Sequence, residues 1–231
     1  MDEGIRINKY LSSSGMCSRR EADVIIQSGE VTVDGIVATN GTRVFEGQVV
    51  LYKGEPIIPK EEKIYIALHK PLGITCTTDR RDPDNIIDFL GLGDRIFPIG
   101  RLDKNSSGLI LLTNDGSIVN DVLRAENGHE KEYEVRVDKK LDDTFKKKME
   151  NGLPILGQIT LPCEVNVTGP HTFKIILHQG LNRQIRRMCE YLGYRVVKLR
   201  RIRFMNIYLG NLKVGAHRPL TRDEIRNLTG R

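Results

Sequence analysis

The stretch "GRLDKNSSGLILLTNDG", residues 100–116, sets three charges within four positions, Arg101, Asp103 and Lys104, ahead of an apolar run. Leu109, Ile110, Leu111 and Leu112 follow without a polar break. Such a run reads as a strand buried on both faces. It would anchor the polar loop before it. Asp103 has two readings. One is a turn residue whose side chain bonds nearby backbone amides, the common job of Asp before a strand. The other is a carboxylate kept for chemistry.

Outward from this strand, helical and β-like segments interleave. "IYIALHKPLG" reads as a strand broken at Pro71 and Gly73, and "NIIDFL" as a short helix. "NDGSIVNDVL" turns into a helix with Ile118, Val119 and Val122 at helical spacing. "HEKEYEVRVD", "CEVNV", "TFKIILHQG" and "VVKLRRIRFMNIYLG" are strands, and "LDDTFKKKMENG" is a helix. Several strands come in direct succession. This predicts an α+β fold with a mixed, largely antiparallel sheet rather than a doubly wound one.

A second constellation is "QGLNRQIRRM", residues 179–188. At about 100° per residue, Ile185, Met188, Cys189 and Leu192 share one helical face. Arg183, Arg186 and Arg187 fall on the other, which is expected to point away from the sheet. An Arg at a helix start opposes the macrodipole. An anion, either a carboxylate or RNA phosphates, would relieve it. From Arg183 to Arg203 eight basic residues stand against the single acid Glu190. That run is either a solvated basic surface or a phosphate-binding one. Tyr133, in "EKEYEV", is either a half-buried sheet tyrosine or a platform for a flipped base.

Residues 1–52 read as a separate small unit, 53–62 as a linker and 63–231 as the main domain. In the first unit Ser18 and Glu21 form a capping box before a helix, and Asp34-Gly35 suits a hairpin turn. Arg6, Lys9, Arg19 and Arg20 lie on or beside its two helices. They are ordinary surface charge or contacts for a phosphate.

The chain of 231 residues is 39% hydrophobic and 29% charged, with net charge +6, which fits a globular protein and permits a polyanionic partner. "MDEGIRINKYL" carries no signal-peptide pattern, and no window approaches a membrane span. The four cysteines are far apart and the five histidines lack metal-ligand spacing, so neither disulfides nor a metal is expected, and a reducing cytoplasm is. There is no P-loop and no G-x-G-x-x-G, so no nucleotide cofactor is implied.

"IRINKYLSSSGMCSRREADVIIQSGEVTVDG" resembles the RNA-binding domain named after ribosomal protein S-four. "KPLG", "GRLDKNSSGLILLTNDG", "EKEY" and "GLNRQIRRM" then occur in an order similar to that of bacterial ribosomal-RNA pseudouridine synthases of the RsuA/RluF type. The resemblance implies an S-four-like domain followed by a pseudouridine synthase fold. It implies that Asp103 is the catalytic aspartate, Tyr133 stacks on the target uracil and Arg186 pairs with the aspartate. It further implies RNA contacts from Arg6, Lys9, Arg19, Arg20, Lys70, Arg101, Lys104, Asn182, Arg183 and Arg187. The expected partner is ribosomal RNA, most of all the 23S rRNA, with 16S rRNA or tRNA as other substrates. A non-catalytic RNA-binding assembly factor is the rival reading. The reaction is an isomerisation, so no cofactor is expected. Nothing resembles a coiled coil, so the expected state is a monomer.

Overall fold

A computed structural model of the chain describes residues 3–60, 62–93, 95–123 and 128–230. The chain divides into two compact units. Met1–Ile64 forms the first, joined by the short returning segments Gly93–Ile96 and Asn114–Gly116; the remainder forms the second.

The first unit comprises β1 (Ile5–Arg6), α1 (Ile7–Ser13), α2 (Arg19–Gln27), β2 (Val31–Val33), β3 (Ile36–Val37), β4 (Arg43–Val44), β5 (Val50–Tyr52) and β6 (Glu55–Pro56). The capping box forms: the Glu21 amide donates to Ser18 Oγ at 3.1 Å, and Glu21 accepts the Ser18 amide at 2.5 Å. Asp34 and Gly35 both take positive φ, 49° and 82°, which is what a tight β2–β3 turn requires. Strand order is β3-β2-β5-β6. Ile7 and Leu11 of α1 and Ala22 and Ile26 of α2 pack with Val31, Val33, Val44 and Val50 into one small core.

The second unit begins with β7 (Tyr65–Lys70), α3 (Ile86–Leu90), β8 (Phe97–Ile99), β9 (Ser107–Thr113), α4 (Val119–Leu123), β10 (Lys131–Val137) and α5 (Phe145–Glu150). It continues through β11 (Pro154–Ile155), β12 (Gln158–Ile159), β13 (Glu164–Gly169), β14 (Thr172–Leu177) and α6 (Gln184–Tyr191). It ends with β15 (Val196–Phe204), β16 (Ile207–Tyr208), β17 (His217–Pro219) and α7 (Arg222–Thr229). One nine-stranded sheet runs β13-β14-β10-β15-β9-β7-β17, with β8 on β9 and β16 on β15. Among the described residues every pairing in it is antiparallel except β9 with β15. The mixed, largely antiparallel α+β expectation is borne out. "VVKLRRIRFMNIYLG" departs from one continuous strand: Met205 takes φ 52° and the chain folds back as β16.

β9 is buried along its whole length, because it has β7, β8 and β15 as neighbours and apolar side chains on both faces. Leu109 and Leu111 pack with Ala67, Ile99, Ile118 and Val122. Gly108 has φ 109°, and a Cβ there would meet the Arg201 carbonyl and lie 2.6 Å from the Arg201 nitrogen. Only glycine allows β15 to run this close to the start of β9. No helix among the described residues is long and apolar enough to cross a membrane.

Candidate active site

The loop before β9 is held from several sides. The Leu102 amide donates to Cys76 Sγ at 3.4 Å, and the Gly73 amide to the Lys104 carbonyl at 2.9 Å. Asp103 makes its turn through the main chain, its carbonyl accepting the Ser106 amide at 2.9 Å. Its carboxylate takes no backbone amide among the described residues. Instead Oδ2 lies 3.8 Å from Arg186 Nε, and the side chain keeps about a third of its surface, 32%, open. The turn reading therefore describes the backbone of Asp103 and not its carboxylate.

Arg186 corrects the helical-wheel reading of α6. It is only 8% exposed and points inward rather than away from the sheet. On the wheel it borders Cys189, at the seam of the apolar face. Acceptors at that seam draw it in. Nη2 donates to the Asn105 carbonyl at 2.6 Å and to Ser106 Oγ at 3.1 Å, and Nη1 reaches the Val196 carbonyl at 3.5 Å. Burial, and then the charge of Arg183, lower its pKa, while Asp103 works in the opposite direction. Arg183 and Asn182 are exposed and Arg187 is half-buried, its Nε and Nη2 bonded to Asn182. Arg183 precedes α6 in the left-handed region, φ 51°.

Strand register assembles a row beneath this loop. Lys70 of β7 opposes Gly108 of β9, Gly108 opposes Arg201 of β15, and Arg201 opposes Tyr133 of β10. Directly opposed residues share a face of the sheet. Tyr133 is 9% exposed, and its hydroxyl has no hydrogen-bond partner among the described residues. Lys70, expected as an RNA contact, is completely buried. Its Nζ donates to the Pro71 and Ile74 carbonyls at 2.9 and 2.8 Å, folding "KPLG" back on itself, so it has no surface to offer RNA. Burial lowers its pKa, with repulsion from Arg201 added; Cys76 and Asp103 oppose the shift. Lys104 is also engaged, pairing with Asp84 at 2.7 Å rather than with Asp103. Arg101 is exposed, as are Arg6, Lys9, Arg19 and Arg20 of the first unit.

Arg201 went unnoticed in the sequence, as one of eight basic residues in a run. It is 2% exposed, donates from Nε to the Leu109 carbonyl at 2.6 Å, and leaves Nη2 buried without a partner. Its charge reaches Lys131, two residues before Tyr133, whose pKa is pushed down to about 8 by burial and then by Arg201. Three others of that basic run are paired with acids on or beside β10. Arg200 pairs with Glu134, Arg203 with Glu130 and Glu132, and Arg195 with Asp138. Counting along the chain overstated the charge available to a phosphate, because the acids lie on β10 and just beside it.

Comparison with known proteins places this geometry in a family. Residues 64–191 match the family model described as RNA pseudouridylate synthase, and residues 5–50 match the S4 domain. A Salmonella typhi protein named dual-specificity RNA pseudouridine synthase RluF is 53% identical over 229 residues, covering 98% of this chain and 79% of its own length. A Bacillus subtilis protein named ribosomal large subunit pseudouridine synthase B is 33% identical over 232 residues, covering 96% and 95%. A solved structure titled crystal structure of pseudouridylate synthase superposes with a TM-score of 0.72 at 25% identity, covering 97% of this chain and all of that one. With an S4 domain ahead of it and the Asp103 loop within it, the larger unit identifies the chain as a member of the RNA pseudouridine synthase family.

Proposed function

We propose that the protein isomerises specific uridines of ribosomal RNA, chiefly of the large subunit, using Asp103 as nucleophile on a flipped-out nucleotide. The observation that carries this reading is the Asp103–Arg186 arrangement: a part-exposed carboxylate beside a buried guanidinium that is itself tied to the loop. The carboxylate is held in place yet open on one side, where a nucleotide can meet its oxygens.

The chemistry is balanced without an added reagent. The bond from uracil nitrogen 1 to the ribose breaks, with its electron pair leaving on the base. The base turns, carbon 5 bonds to the anomeric carbon, the carbon 5 proton is lost and nitrogen 1 takes up a proton in its place, so the sum is an isomerisation. A carboxylate attacking the sugar would parallel the covalent route of retaining glycosidases. Attack at carbon 6 and a route through the 2′ proton use the same Asp103. Flipping the base exposes the anomeric carbon and keeps water from intercepting it. Tyr133 supplies the surface on which the uracil rests, and Arg186 holds the aspartate. Arg101, Asn182, Arg183 and Arg187 contact RNA around the site, while Arg6, Lys9, Arg19 and Arg20 guide it from the first unit. The protein acts as a monomer in the cytoplasm.

Large-subunit RNA is favoured by the name of the Bacillus relative, and a second RNA target, in 16S rRNA or tRNA, by the dual-specificity name of the Salmonella one. The test is Asp103→Asn, with pseudouridine mapped chemically across cellular RNA from strains carrying the wild-type or variant gene. Loss of a defined set of pseudouridines is expected. Full retention would overturn the role of Asp103, and RNA binding without pseudouridine formation by the wild type would favour the assembly-factor reading.

A further inference from the structure

The far end of α6 borders a cavity of about 370 Å³, a volume within the range of ordinary ligand pockets. Among its lining residues are Asp142, Phe145, Lys148, Leu153, Tyr191 and Tyr194. One wall is rigid. Tyr194 is buried and meets Phe145 edge-on, with centroids 5.1 Å apart and planes at 80°. Its hydroxyl donates to Asp142 Oδ2 and accepts the Asp142 amide, both at 3.0 Å. Tyr191 differs: it is 57% exposed and has neither a hydrogen bond nor a ring partner among the described residues. A large aromatic side chain open at the mouth of an aromatic cavity is a free stacking surface.

Charge leads to the same place. Arg187 and Tyr191 are spaced four apart on α6 and so share one side of it, Arg183 stands exposed just before the helix, and Glu190 is the one acid in this stretch of sequence. Lys148 stands at the cavity, and Lys139 Nζ lies 5.0 Å from the centroid of the Tyr194 ring. Cations tracking toward an aromatic platform are the pattern of single-stranded nucleic-acid binding, in which phosphates follow the charge and bases stack.

We propose that this cavity seats an unpaired nucleobase of the RNA strand flanking the target, stacked on Tyr191, with that strand's phosphates on Arg183, Arg187 and Lys148. The proposal rests on the reading that the protein works on RNA and adds a second point of contact. Asp142 gives the cavity a preference. Its side chain lines the cavity with Oδ1 held by the Thr144 amide and hydroxyl and Oδ2 by Tyr194, so the carboxylate is fixed there as a group whose remaining lone pairs can only accept. It welcomes an exocyclic amine, as on adenine, and disfavours the carbonyl edge of uracil.

The chain contains no tryptophan, so Tyr191→Trp creates a single fluorescent reporter at the cavity mouth. Short oligoadenylate added to this variant should quench and shift its emission, and oligouridylate should do so only at higher concentration. Tyr191→Ala should bind oligoadenylate roughly 5- to 100-fold more weakly than wild type, and Tyr191→Phe should restore affinity. Emission unmoved by oligoadenylate, or equal affinity of Tyr191→Ala and wild type with a native far-ultraviolet spectrum, would overturn the proposal. Pseudouridine formation by the wild type is scored separately on ribosomal RNA. Its absence alongside intact quenching would sink the enzymatic reading alone.

Discussion

Arg186 Nε lies 3.8 Å from Asp103 Oδ2, close enough for charge attraction yet without a hydrogen bond between them. The guanidinium is anchored elsewhere, on Asn105, Ser106 and Val196. The aspartate thus gains a fixed positive neighbour while its oxygen lone pairs stay available. A fork-to-fork pair would have held the carboxylate harder and blocked it.

This arrangement gives the first prediction. Arg186→Lys retains charge but loses the planar fork that ties α6 to the loop. We expect a fall in single-turnover rate of roughly 10- to 100-fold with the fold intact. Arg186→Met leaves the loop acceptors without their donor and should cost about 2–4 kcal/mol of stability. Denaturant titration beside the rate measurement separates the two effects; a Lys variant as fast as wild type would contradict the positioning role.

Arg19 and Arg20 are exposed and open α2, where their charge opposes the helix dipole. Arg19→Glu combined with Arg20→Glu should weaken RNA binding and flatten its dependence on salt, because up to two phosphate contacts are lost. Thermal stability should hold or rise slightly. Binding isotherms at several salt concentrations check this, and an unchanged slope would assign recognition to the larger unit alone.

Lys131 makes stability depend on pH in a stated direction. Its pKa falls from 10.5 to about 8 on folding, chiefly through burial. Between these values the unfolded chain binds the proton and the folded protein releases it, so Lys131 contributes a rise in stability as pH increases from 8 to 10.5. Below pH 8 both states are protonated and the folded state bears the full cost of the buried charge. Lys131→Met should therefore raise the denaturation midpoint at neutral pH and flatten that rise. Equal pH slopes in the two proteins would contradict the burial of this amine.

Gly108→Ala should be severe. The added methyl meets the Arg201 backbone, and φ 109° is unfavourable for any other residue. Relief requires β9 and β15 to separate, at a cost of about 2–4 kcal/mol. Circular dichroism melts of the variant against wild type give the answer; a midpoint within a degree or two of wild type would show that the seam is looser than described.

Local features of this chain were legible because they depend on neighbours in sequence. The Ser18–Glu21 box, the Asp34-Gly35 turn and the buried run Leu109–Leu112 are all of this kind. The loop position of Asp103 was equally plain. What stayed hidden depends on register between distant strands. No spacing rule reveals that Arg201 faces Tyr133, or that Glu134 and Glu132 neutralise Arg200 and Arg203. Lys70 looks like an RNA-facing cation until the carbonyls of Pro71 and Ile74 are seen around it. The wheel for α6 placed Arg186 at an angle, but its acceptors belong to a loop about eighty residues away.

The parallel seam between β9 and β15 also has a consequence for biosynthesis. Gly108 and Arg201 are register partners, yet 93 residues separate them (201 minus 108). At ribosomal speeds of about 5–20 residues per second, β9 waits roughly 5–20 s for β15 to be made. Until then the Ser107–Gly108 end of β9 lacks its β15 partner, β8 reaching only Leu111–Thr113 on that edge, and an unpaired stretch of strand edge invites pairing with another chain. Slow translation through this interval, or too little chaperone, should cost this protein yield before it affects any property of the folded molecule.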